Sequence, residues 1–568
     1  MLMVGIGIIG TLPLTSFPTP LSLSLSLSLS LIMCQFTPTS CPEQQPHVST
    51  CMEMKEMAIG SCNDQTIAEG EEAQPLTASQ NPAAGGNLRH LPSLAEVLEE
   101  LLQLGKIGCP MVCLGLLLYG RMVTSMYFLG RLGELELAGG SLAIGLANIT
   151  CYSVLSGLAM GMEPICGQAF GAKKWSLMGL ALQRTILVLL CFCLPIASLW
   201  LNMHRILLWC GQDTALANMA STYLLYLLPD LLAQSILNPL RIYLRTQTIT
   251  APLTICTFLA LILHLLINHL LVNVLGMGVR GVALAASWTD FNLVLLIIGY
   301  LWFFGVHRKT WDGWSSECLQ GWKTLLNLAV PSCLSVCLEW WWYELMIVYS
   351  SFLVDGRAAV AAMGILIQTT SLVYIFPSSL SLAVSTRVGN ELGANRPDKA
   401  RLTTQIALCL ACILAVVAMA FTTAMRHTWG AMFTSNAHIK SLVAVALPIV
   451  GLCELGNCPQ TAGCGVLRGS ARPATGANIN LGSFYIVGLP VALLLGLKVG
   501  FVGLWCGLLA AQMTCILLML YVLVQTDWNV QAIRAQVLTG GGVTNTSDSE
   551  AHDRDLDFLI PVAISVET

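Results

Sequence analysis

Residues 167–172 read GQAFGA and residues 389–394 read GNELGA, so one pattern of glycine and alanine occurs in each half of the chain. The spacing from Gly167 to Gly389 also relates three further pairs of identical residues: Gln183 and Gln405, Gly278 and Gly500, Gly281 and Gly503. One register that persists along both halves of a chain indicates an internal duplication. The repeat therefore divides the protein into two copies of one structural unit.

Apolar runs surround both copies of this pattern. The first six lie at about 108–130, 138–164, 177–202, 215–238, 251–274 and 281–304, and the second six at about 324–352, 358–384, 403–425, 440–465, 476–497 and 500–525. Each is long enough to cross a hydrocarbon core of about 30 Å as a helix. We predict an all-α polytopic membrane protein with twelve transmembrane helices in two parallel six-helix lobes, because an even number of spans gives both copies one orientation.

The composition excludes an ordinary soluble protein. Of 568 residues, 55% are hydrophobic and 10% are charged, with a mean hydropathy of +0.72. Average globular chains are about a quarter charged. A net charge of -4 without a long basic run argues against a nucleic-acid partner and leaves the lipid bilayer as the expected surroundings. Most of the 22 cysteines lie in apolar runs, where a thiol behaves as a small hydrophobe.

The ends of the chain differ from its apolar middle. We expect 1–94 to be a disordered cytosolic region, 95–304 the first lobe, 305–323 a cytosolic connector, 324–525 the second lobe and 526–568 a cytosolic tail. The Leu-Ser alternation at 21–30 is typical of a translated dinucleotide repeat, so we expect translation to start at Met33 and 1–32 not to be translated. Peptides from 1–32 in the native protein would contradict this.

Loop charges predict the orientation. With both termini in the cytosol, the inner loops carry 13 Lys and Arg and the outer loops carry 7. The positive-inside rule favours this arrangement. The sequon at Asn545 would then be unused.

The tail contains a candidate sorting signal. Asp555 stands four residues before the apolar pair Leu559 and Ile560, a spacing that sorting adaptors bind as an acidic dileucine. The alternative is an ordinary amphipathic chain end. The signal slightly favours a vacuolar or endosomal membrane over the plasma membrane.

Motifs for enzymatic chemistry are missing from the sequence. It has no Walker A pattern, no HExxH, no nucleophile elbow and no dinucleotide fingerprint. The Cys409–Cys412 pair has no partner pair of Cys or His that would complete a metal site. We expect a protein that is not an enzyme, needs no cofactor and draws on an ion gradient.

Few ionisable residues lie within the apolar spans, and these are the candidates for coupling to a proton gradient. Glu339 and Glu344 lie in the middle of span seven, and their spacing of five places them about 140° apart around the helix. Glu454, Asn457 and Gln460 form one polar stripe on span ten. Such a stripe can hold a proton or cation, so we predict proton coupling at Glu339, Glu454 and Glu344.

Other polar and aromatic residues have two interpretations. Five residues are candidates to line a substrate cavity, with the aromatic rings as a wall for flat or cationic solutes: Asp230, Trp341, Tyr343, Asn457 and Gln460. The alternative for the Trp-rich segment is packing. Glu163, Asp290 and His264 are more typical of hydrogen-bonded structural residues.

Four segments together resemble the multidrug and toxic compound extrusion (MATE) family, and most of all its plant DETOXIFICATION branch. They are 163–172, 337–344, 385–397 and 465–469, and the resemblance covers about 95–530. It implies two lobes around a V-shaped cavity and efflux of an organic solute in exchange for protons. The motif residues that it implies are Glu163, Pro164, Gly167, Gln168, Gly171, Arg387, Gly389, Asn390, Glu391, Gly393 and Arg468.

The resemblance also assigns a coupling acid. In eukaryotic members that acid falls at the position of Glu339. A second family acid falls on Asn457 here, so the sequence departs from the pattern, and Glu454 one turn earlier is its expected substitute. No matching acid occurs in the first span.

We therefore expect a secondary antiporter that exports an organic solute or xenobiotic from the cytosol by alternating access between the two lobes. A channel-like or regulatory membrane scaffold is the first alternative, and a lipid-linked precursor flippase is the second. The sequence does not identify the solute.

Overall fold

A computed structural model describes residues 93–311, 313–353 and 355–540 of the protein. The predictions for 1–92 and for the sorting signal at Asp555, Leu559 and Ile560 lie outside the described residues. Within the described part the chain forms helices joined by short loops and turns, without a strand. The predicted all-α membrane fold is confirmed.

From residue 93 to the connector, the described residues of the first half form ten α-helices that make six spans. They are α1 (Leu94–Leu132), α2 (Glu134–Ala147), α3 (Ser153–Ala159), α4 (Met162–Gly171), α5 (Trp175–Leu201), α6 (Met203–Trp209), α7 (Thr214–Leu227), α8 (Asp230–Thr246), α9 (Ala251–Asn268) and α10 (Val279–Phe303). Short π-helical segments, Asn148–Tyr152 and His269–Val274, continue α2 and α9. The second span therefore consists of α2, α3 and α4.

The second half repeats this order. Its helices are α11 (Trp322–Ser350), α12 (Gly356–Gly393), α13 (Pro397–Ala424), α14 (Ala437–Gly469), α15 (Pro473–Asn480), α16 (Leu489–Val499) and α17 (Phe501–Val524), with a π-helical segment, Leu481–Gly488, between α15 and α16. A further helix, α18 (Trp528–Leu538), follows the last span. Short 3-10 turns lie at Val306–Lys309, Ser316–Leu319 and Gly430–Met432.

Ten of the described helical stretches are long and apolar enough to cross a membrane. The remaining two of the twelve spans are the broken fourth span at 214–246 and α11. Two glutamates and four tryptophans lower the hydropathy of α11, although its 29 residues are ample for a crossing.

Polar caps determine where several helices begin. Ser93 and Glu96 form a reciprocal capping box at the start of α1, and Asp213 and Asn436 accept backbone N–H groups at the starts of α7 and α14. The capping box corrects the predicted first span, which begins at 94 and not near 108. The first turns carry Glu and Lys residues, so a hydropathy window does not detect them.

Span four is also corrected. It is not one helix over 215–238 but the two helices α7 and α8, which end at Thr246. Pro229 lies at the break, where its ring and missing N–H interrupt the helical hydrogen bonds. Pro331, Pro377, Pro448 and Pro459, in contrast, lie inside continuous helices.

The first part of the predicted tail is helical. α18 begins with Asp527 as its cap and packs against α4, α12 and α13. Gln536 donates a hydrogen bond of 3.2 Å to the carbonyl of Gly393. The predicted tail over 526–568 therefore starts with a packed helix at Trp528–Leu538.

Backbone geometry confirms the duplication. Gly278 and Gly500, which are equivalent in the repeat, share an unusual conformation with φ/ψ of 58°/-136° and 75°/-142°. Lys173 and Asn395, a second equivalent pair, both adopt positive φ at 60° and 55° where α4 and α12 end. Two chain segments that repeat such strained positions at one spacing have the same local fold.

Apolar side chains cover the outer surface of the helices. Leu194 is 73% exposed, Leu265 47% and Leu295 66%, while other residues of the same helices are buried. In water such a surface would be costly, whereas lipid tails solvate it. The protein is therefore an integral membrane protein.

Candidate functional site

The two copies of the glycine motif meet at one end of the molecule. A Cβ on Gly171 would lie 2.0 Å from the carbonyl oxygen of Asn390, and a Cβ on Gly393 would lie 2.0 Å from that of Gln168. Gln168 and Asn390 occupy equivalent positions in the two copies of the motif. The contact is thus reciprocal, and only glycine allows α4 and α12 to approach so closely.

We call this end, where α4, α8, α12 and α14 finish, the motif end. Pro164 lies in the first turn of α4, where a missing N–H costs no intrahelical hydrogen bond. The sequence-predicted motif residues all lie on the helices that form this end: Glu163, Pro164, Gly167, Gln168, Gly171, Arg387, Gly389, Asn390, Glu391, Gly393 and Arg468.

Ion pairs join the two halves at the motif end. The Glu163 carboxylate of the first half lies 2.8 Å from Arg245 and 3.7 Å from Arg468 of the second half. Arg387 of the second half binds Glu100 of the first half through two hydrogen bonds, of 2.9 and 2.8 Å. Charges shared between the halves stabilise their contact at this end.

Further hydrogen bonds support the same contact. The Gln168 amide donates to the carbonyl of Gly469 over 3.0 Å. Arg387 also lies 2.7 Å from Glu391, which in turn lies 3.3 Å from Arg396. The motif end is therefore closed by polar groups as well as by glycine packing.

Sequence reasoning missed Glu100 and Arg245 as parts of this network. Glu100 lies in the first turns of α1, which lie outside the apolar window, and Arg245 was counted only as a loop charge. The signal that could have identified them is charge complementarity to Arg387 and Glu163. That signal becomes specific only once the fold brings the helix ends together.

The second half contains a cluster of two acids, which we call the acidic cluster. Glu339 on α11 is partly buried, has Tyr374 of α12 as its hydrogen-bonding partner, and interacts electrostatically with Arg468 and Glu454 of α14. Tyr343, one turn after Glu339, faces both acids. Residues from three helices, α11, α12 and α14, therefore form one polar cluster.

The predicted stripe on α14 forms the other side of this cluster. Asn457 donates a hydrogen bond of 2.9 Å to Glu454, and Gln512 of α17 lies 3.4 Å from the Asn457 side-chain oxygen. Gln460 donates to Asn480, and Asn480 donates to Ser335 of α11, over 3.3 and 3.1 Å. The stripe is buried, with Glu454 2% exposed.

The neighbours of Glu339 on α11 have separate surroundings. Trp342 is buried against Phe484 and Tyr485. Its role is therefore packing, which is the alternative interpretation of the Trp-rich segment. Glu344 lies away from the acidic cluster, and its Oε1 is buried without a hydrogen-bond partner among the described residues. The Trp341 Nε1 is likewise unpartnered in the described part of the chain.

The first half contains a polar network around Asp230 and Asp290. Tyr152 donates to Asp230 over 2.6 Å, and Gln234 donates to Asp290 over 3.0 Å. Arg121 of α1 forms an ion pair with Asp290. Both aspartates are buried, at 1% exposure each, so this network replaces water around them.

His264 has the hydrogen-bonding partners expected of a structural residue. Its Nε2 lies 3.1 Å from Ser125 and its Nδ1 2.8 Å from Thr289, and the residue is fully buried. Both ring nitrogens thus have neutral partners. No group of His, Cys, Asp and Glu that could hold a metal occurs in the part of the chain that is described.

A cavity of about 320 Å³ opens beside the first-half network. Its wall comes mainly from α1, α2, α3, α7, α8 and the π-helical segment between α2 and α3, and it also includes Trp340 of α11. The five residues proposed from the sequence as cavity-lining are not in its wall, although Gln234, one turn from Asp230, is. The remaining four, Asn457, Gln460, Trp341 and Tyr343, lie in the second half.

Twelve membrane spans in two duplicated halves, which meet around buried polar clusters, define an integral membrane transporter. Comparison with known proteins identifies its family. The MatE family matches residues 110–270 and 331–494, one stretch in each half, in agreement with the internal repeat. The chain belongs to this family, whose members are transporters and not enzymes.

Individual relatives agree. The chain is 60% identical to Protein DETOXIFICATION 48 of Arabidopsis thaliana over 80% of this chain and 86% of that protein, and 56% identical to Protein DETOXIFICATION 49 of the same plant over 82% and 93%. A crystal structure of the eukaryotic MATE transporter AtDTX14 is similar with a TM-score of 0.75, at 30% identity over 78% of this chain and 99% of that one.

Proposed function

We propose that the protein is a proton-coupled antiporter that exports an organic solute from the cytosol. The observation that carries the proposal is the acidic cluster, in which Glu339 and Glu454 lie within electrostatic reach of each other inside the membrane region. A charged side chain there costs about 2.5–3.5 kcal/mol on insertion scales, so such residues are rare outside functional positions.

Burial disfavours the charged form of a carboxylate, so both acids can bind a proton when the cluster is closed to water and release it when water enters. Tyr374 and Asn457 supply hydrogen bonds in either state. Proton binding and solute binding at neighbouring groups then exclude each other, which is the condition for exchange.

Arg468 offers a route from this cluster to the motif end. Its guanidinium interacts with Glu339 and also lies 3.7 Å from Glu163 of the first half. A change in the charge of Glu339 therefore alters a pair that helps to close the two halves together. Alternating access requires such a link between the proton site and the position of the lobes.

A proton gradient is sufficient for export. One proton contributes about 1.4 kcal/mol per pH unit and about 2.3 kcal/mol per 100 mV. Modest gradients therefore support more than about tenfold accumulation of a solute. With both termini in the cytosol, export leads into a vacuole or endosome, slightly favoured by the Asp555–Ile560 signal, or across the plasma membrane.

The test uses proteoliposomes with an acidic interior and a library of organic cations, neutral compounds and organic acids, with uptake measured by mass spectrometry. We expect at least one solute to accumulate about tenfold or more and to leave when a protonophore collapses the gradient. Glu339→Gln should abolish this accumulation, since an amide binds no exchangeable proton at this site. Accumulation that persists in Glu339→Gln, or without a pH gradient, would contradict the proposal.

Two variants serve as controls. Glu344→Gln changes an acid further along the same helix but outside the acidic cluster. Glu134→Gln changes an acid at the start of α2 that lies outside both polar networks. If Glu344→Gln abolishes uptake while Glu339→Gln does not, the coupling site is on the other face of α11.

A further inference from the structure

The cavity in the first half presents cations to its interior. Its charged lining residues are Arg121 and Arg241, and its polar lining also includes Gln234, Asn238 and Tyr152. The two nearby acids, Asp230 and Asp290, are not in the wall and lie behind it at 1% exposure. A solute in the cavity is therefore closer to two guanidinium groups than to either carboxylate.

The two arginines are not equivalent. Arg121 is paired with Asp290, and Asp230 accepts from Tyr152 and Gln234. Arg241 interacts with both aspartates only electrostatically, and its Nε is buried without a hydrogen-bond partner among the described residues. Within this network, Arg241 is the cation whose hydrogen-bonding capacity is unused.

A buried guanidinium nitrogen such as the Arg241 Nε is unfavourable without a hydrogen-bond partner, unless a ligand supplies the missing acceptor. Arg offers a planar fork of N–H donors that fits a carboxylate with two parallel hydrogen bonds. The wall of the same cavity includes Trp340, whose indole ring is suited to pack against a flat apolar group. The volume of about 320 Å³ is at the small end of ligand pockets.

We propose that this cavity binds an aromatic carboxylic acid in its ionised form, with the carboxylate on Arg241 and the ring against Trp340. The inference rests on the proposed function, because it names the solute class that the antiporter would carry. Arg121 adds positive potential, and Asn238 in the same wall has an amide N–H that can donate to the carboxylate. Since Trp340 belongs to the second half and Arg241 to the first, one bound solute contacts both halves.

Charge also determines which solutes the cavity rejects. An amine of the same skeleton would face two guanidinium groups and be repelled. A neutral amide would leave Arg241 without a charged partner. The acid should therefore bind best of the three, and this ranking does not depend on knowing the natural solute.

The experiment measures equilibrium binding to the purified full-length protein without a pH gradient. The probes are benzoate, cinnamate and 2-naphthoate, each compared with its amide and with the amine of the same skeleton. We expect at least one acid to bind about tenfold more tightly than its amide, and its amine not to compete. If no acid binds better than its amide, or if an amine binds best, the proposal is wrong.

Variants locate the site. Arg241→Gln should weaken binding of the acid about tenfold or more and remove the preference for acid over amide, while Arg241→Lys should retain part of that preference. Arg280→Gln is the matched control, because Arg280 is an exposed cation of the first half that stacks on Tyr226 and does not line the cavity. Arg121 is unsuitable, since its loss would strand the buried Asp290.

The outcomes separate this inference from the proposed function. If acid binding is unchanged in Arg241→Gln, the anion site is rejected even where proton-driven transport is intact. If Arg241→Gln loses acid binding but Glu339→Gln transports normally, the anion site stands and proton coupling at Glu339 fails. Gel filtration and thermal unfolding of Arg241→Gln distinguish a lost site from a lost fold, and the comparison of acid, amide and amine needs no variant.

Discussion

At the scale of single residues, side chains within one turn of α11 have three different surroundings. Trp340 lines the first-half cavity, Trp342 packs into the second half, and Glu339 lies in the acidic cluster. Successive residues of a helix point about 100° apart, so three neighbours reach three environments. The same geometry makes Glu454 and Asn457 neighbours on one face of α14.

Glu454 is predicted to replace the acid that relatives of the family are expected to carry at position 457. Glu454→Gln should reduce proton-driven uptake by about tenfold or more. Adding Asn457→Asp should restore a large part of it, because the 2.9 Å contact between the two side chains can form with donor and acceptor exchanged. Gln512 can then donate to the new carboxylate.

The measurement is initial uptake rate in acidic-interior proteoliposomes at equal protein content. Asn457→Asp alone is the control, since it places two acids side by side. Normal transport by Glu454→Gln would show that this acid has no part in coupling, and a double variant no better than Glu454→Gln would show that position 457 cannot replace it.

At the scale of elements, α4 and α12 cross so closely that the glycines between them cannot accept a larger side chain without a shift of the backbone. The carbonyl oxygens of Gln168 and Asn390 occupy the space beside Gly393 and Gly171. These are backbone atoms, so a new methyl group cannot be accommodated by rotation of a side chain. A side chain larger than hydrogen at position 171 or 393 would therefore push α4 and α12 apart and oppose closure of the motif end.

Gly171→Ala is expected to destabilise the closed motif end by about 1–3 kcal/mol, because its Cβ would lie 2.0 Å from the Asn390 oxygen and 2.8 Å from the Ala394 nitrogen. Cys166 of α4 is fully buried and lies five residues before Gly171, so its accessibility can report on opening of this end. Its rate of labelling by a maleimide, resolved by mass spectrometry of the peptide, should rise about fivefold or more.

The matched control is Gly299→Ala, a helical glycine of α10 with no atom within 4 Å of a new Cβ. It should leave Cys166 labelling unchanged. Equal labelling in Gly171→Ala and the wild type would mean that α4 and α12 can separate without cost, and that the crossing does not restrain closure.

At the scale of the whole molecule, charges at the motif end hold the two halves together. Glu163 with Arg468 and Glu100 with Arg387 are the ion pairs described here that link the first half to the second. A transporter that works by alternating access must break such pairs whenever the molecule opens at this end. These ion pairs should be strong enough to stabilise the closed state and weak enough to break when the two halves separate.

The Glu100–Arg387 pair is predicted to couple the halves by about 1–3 kcal/mol, because it is bidentate and mostly buried. Glu100→Gln and Arg387→Gln should each lower the thermal unfolding temperature and accelerate Cys166 labelling. The double variant should cost less than the two single changes added together. If the effects of Glu100→Gln and Arg387→Gln on unfolding simply add in the double variant, the two side chains are not directly coupled.

The control for this cycle is Arg396→Gln. Arg396 pairs with Glu391 over 3.3 Å within the second half, so its loss removes a surface ion pair without touching the first half. A small effect on unfolding and none on Cys166 labelling is expected.

The sequence alone determined the twelve spans, the duplication and the neighbourhood of the acidic cluster. Hydropathy is a local property, and the constant spacing between the two copies of the repeat is visible without a structure. Glu339 and the stripe at Glu454, Asn457 and Gln460 stand out because polar residues inside a membrane are costly. These features depend on short stretches of chain or on a repeated register.

The tertiary structure decided which groups meet. It brought Arg241 and Trp340 into the wall of one cavity, joined Glu100 to Arg387 across 287 positions and placed the separate helix α18 after the last span. In water an amphipathic pattern reveals the buried face of a helix, but here lipid-facing and protein-facing sides are both apolar. The rotation of each helix, and hence every contact between distant residues, is therefore set by packing and polar pairing that only the folded molecule contains.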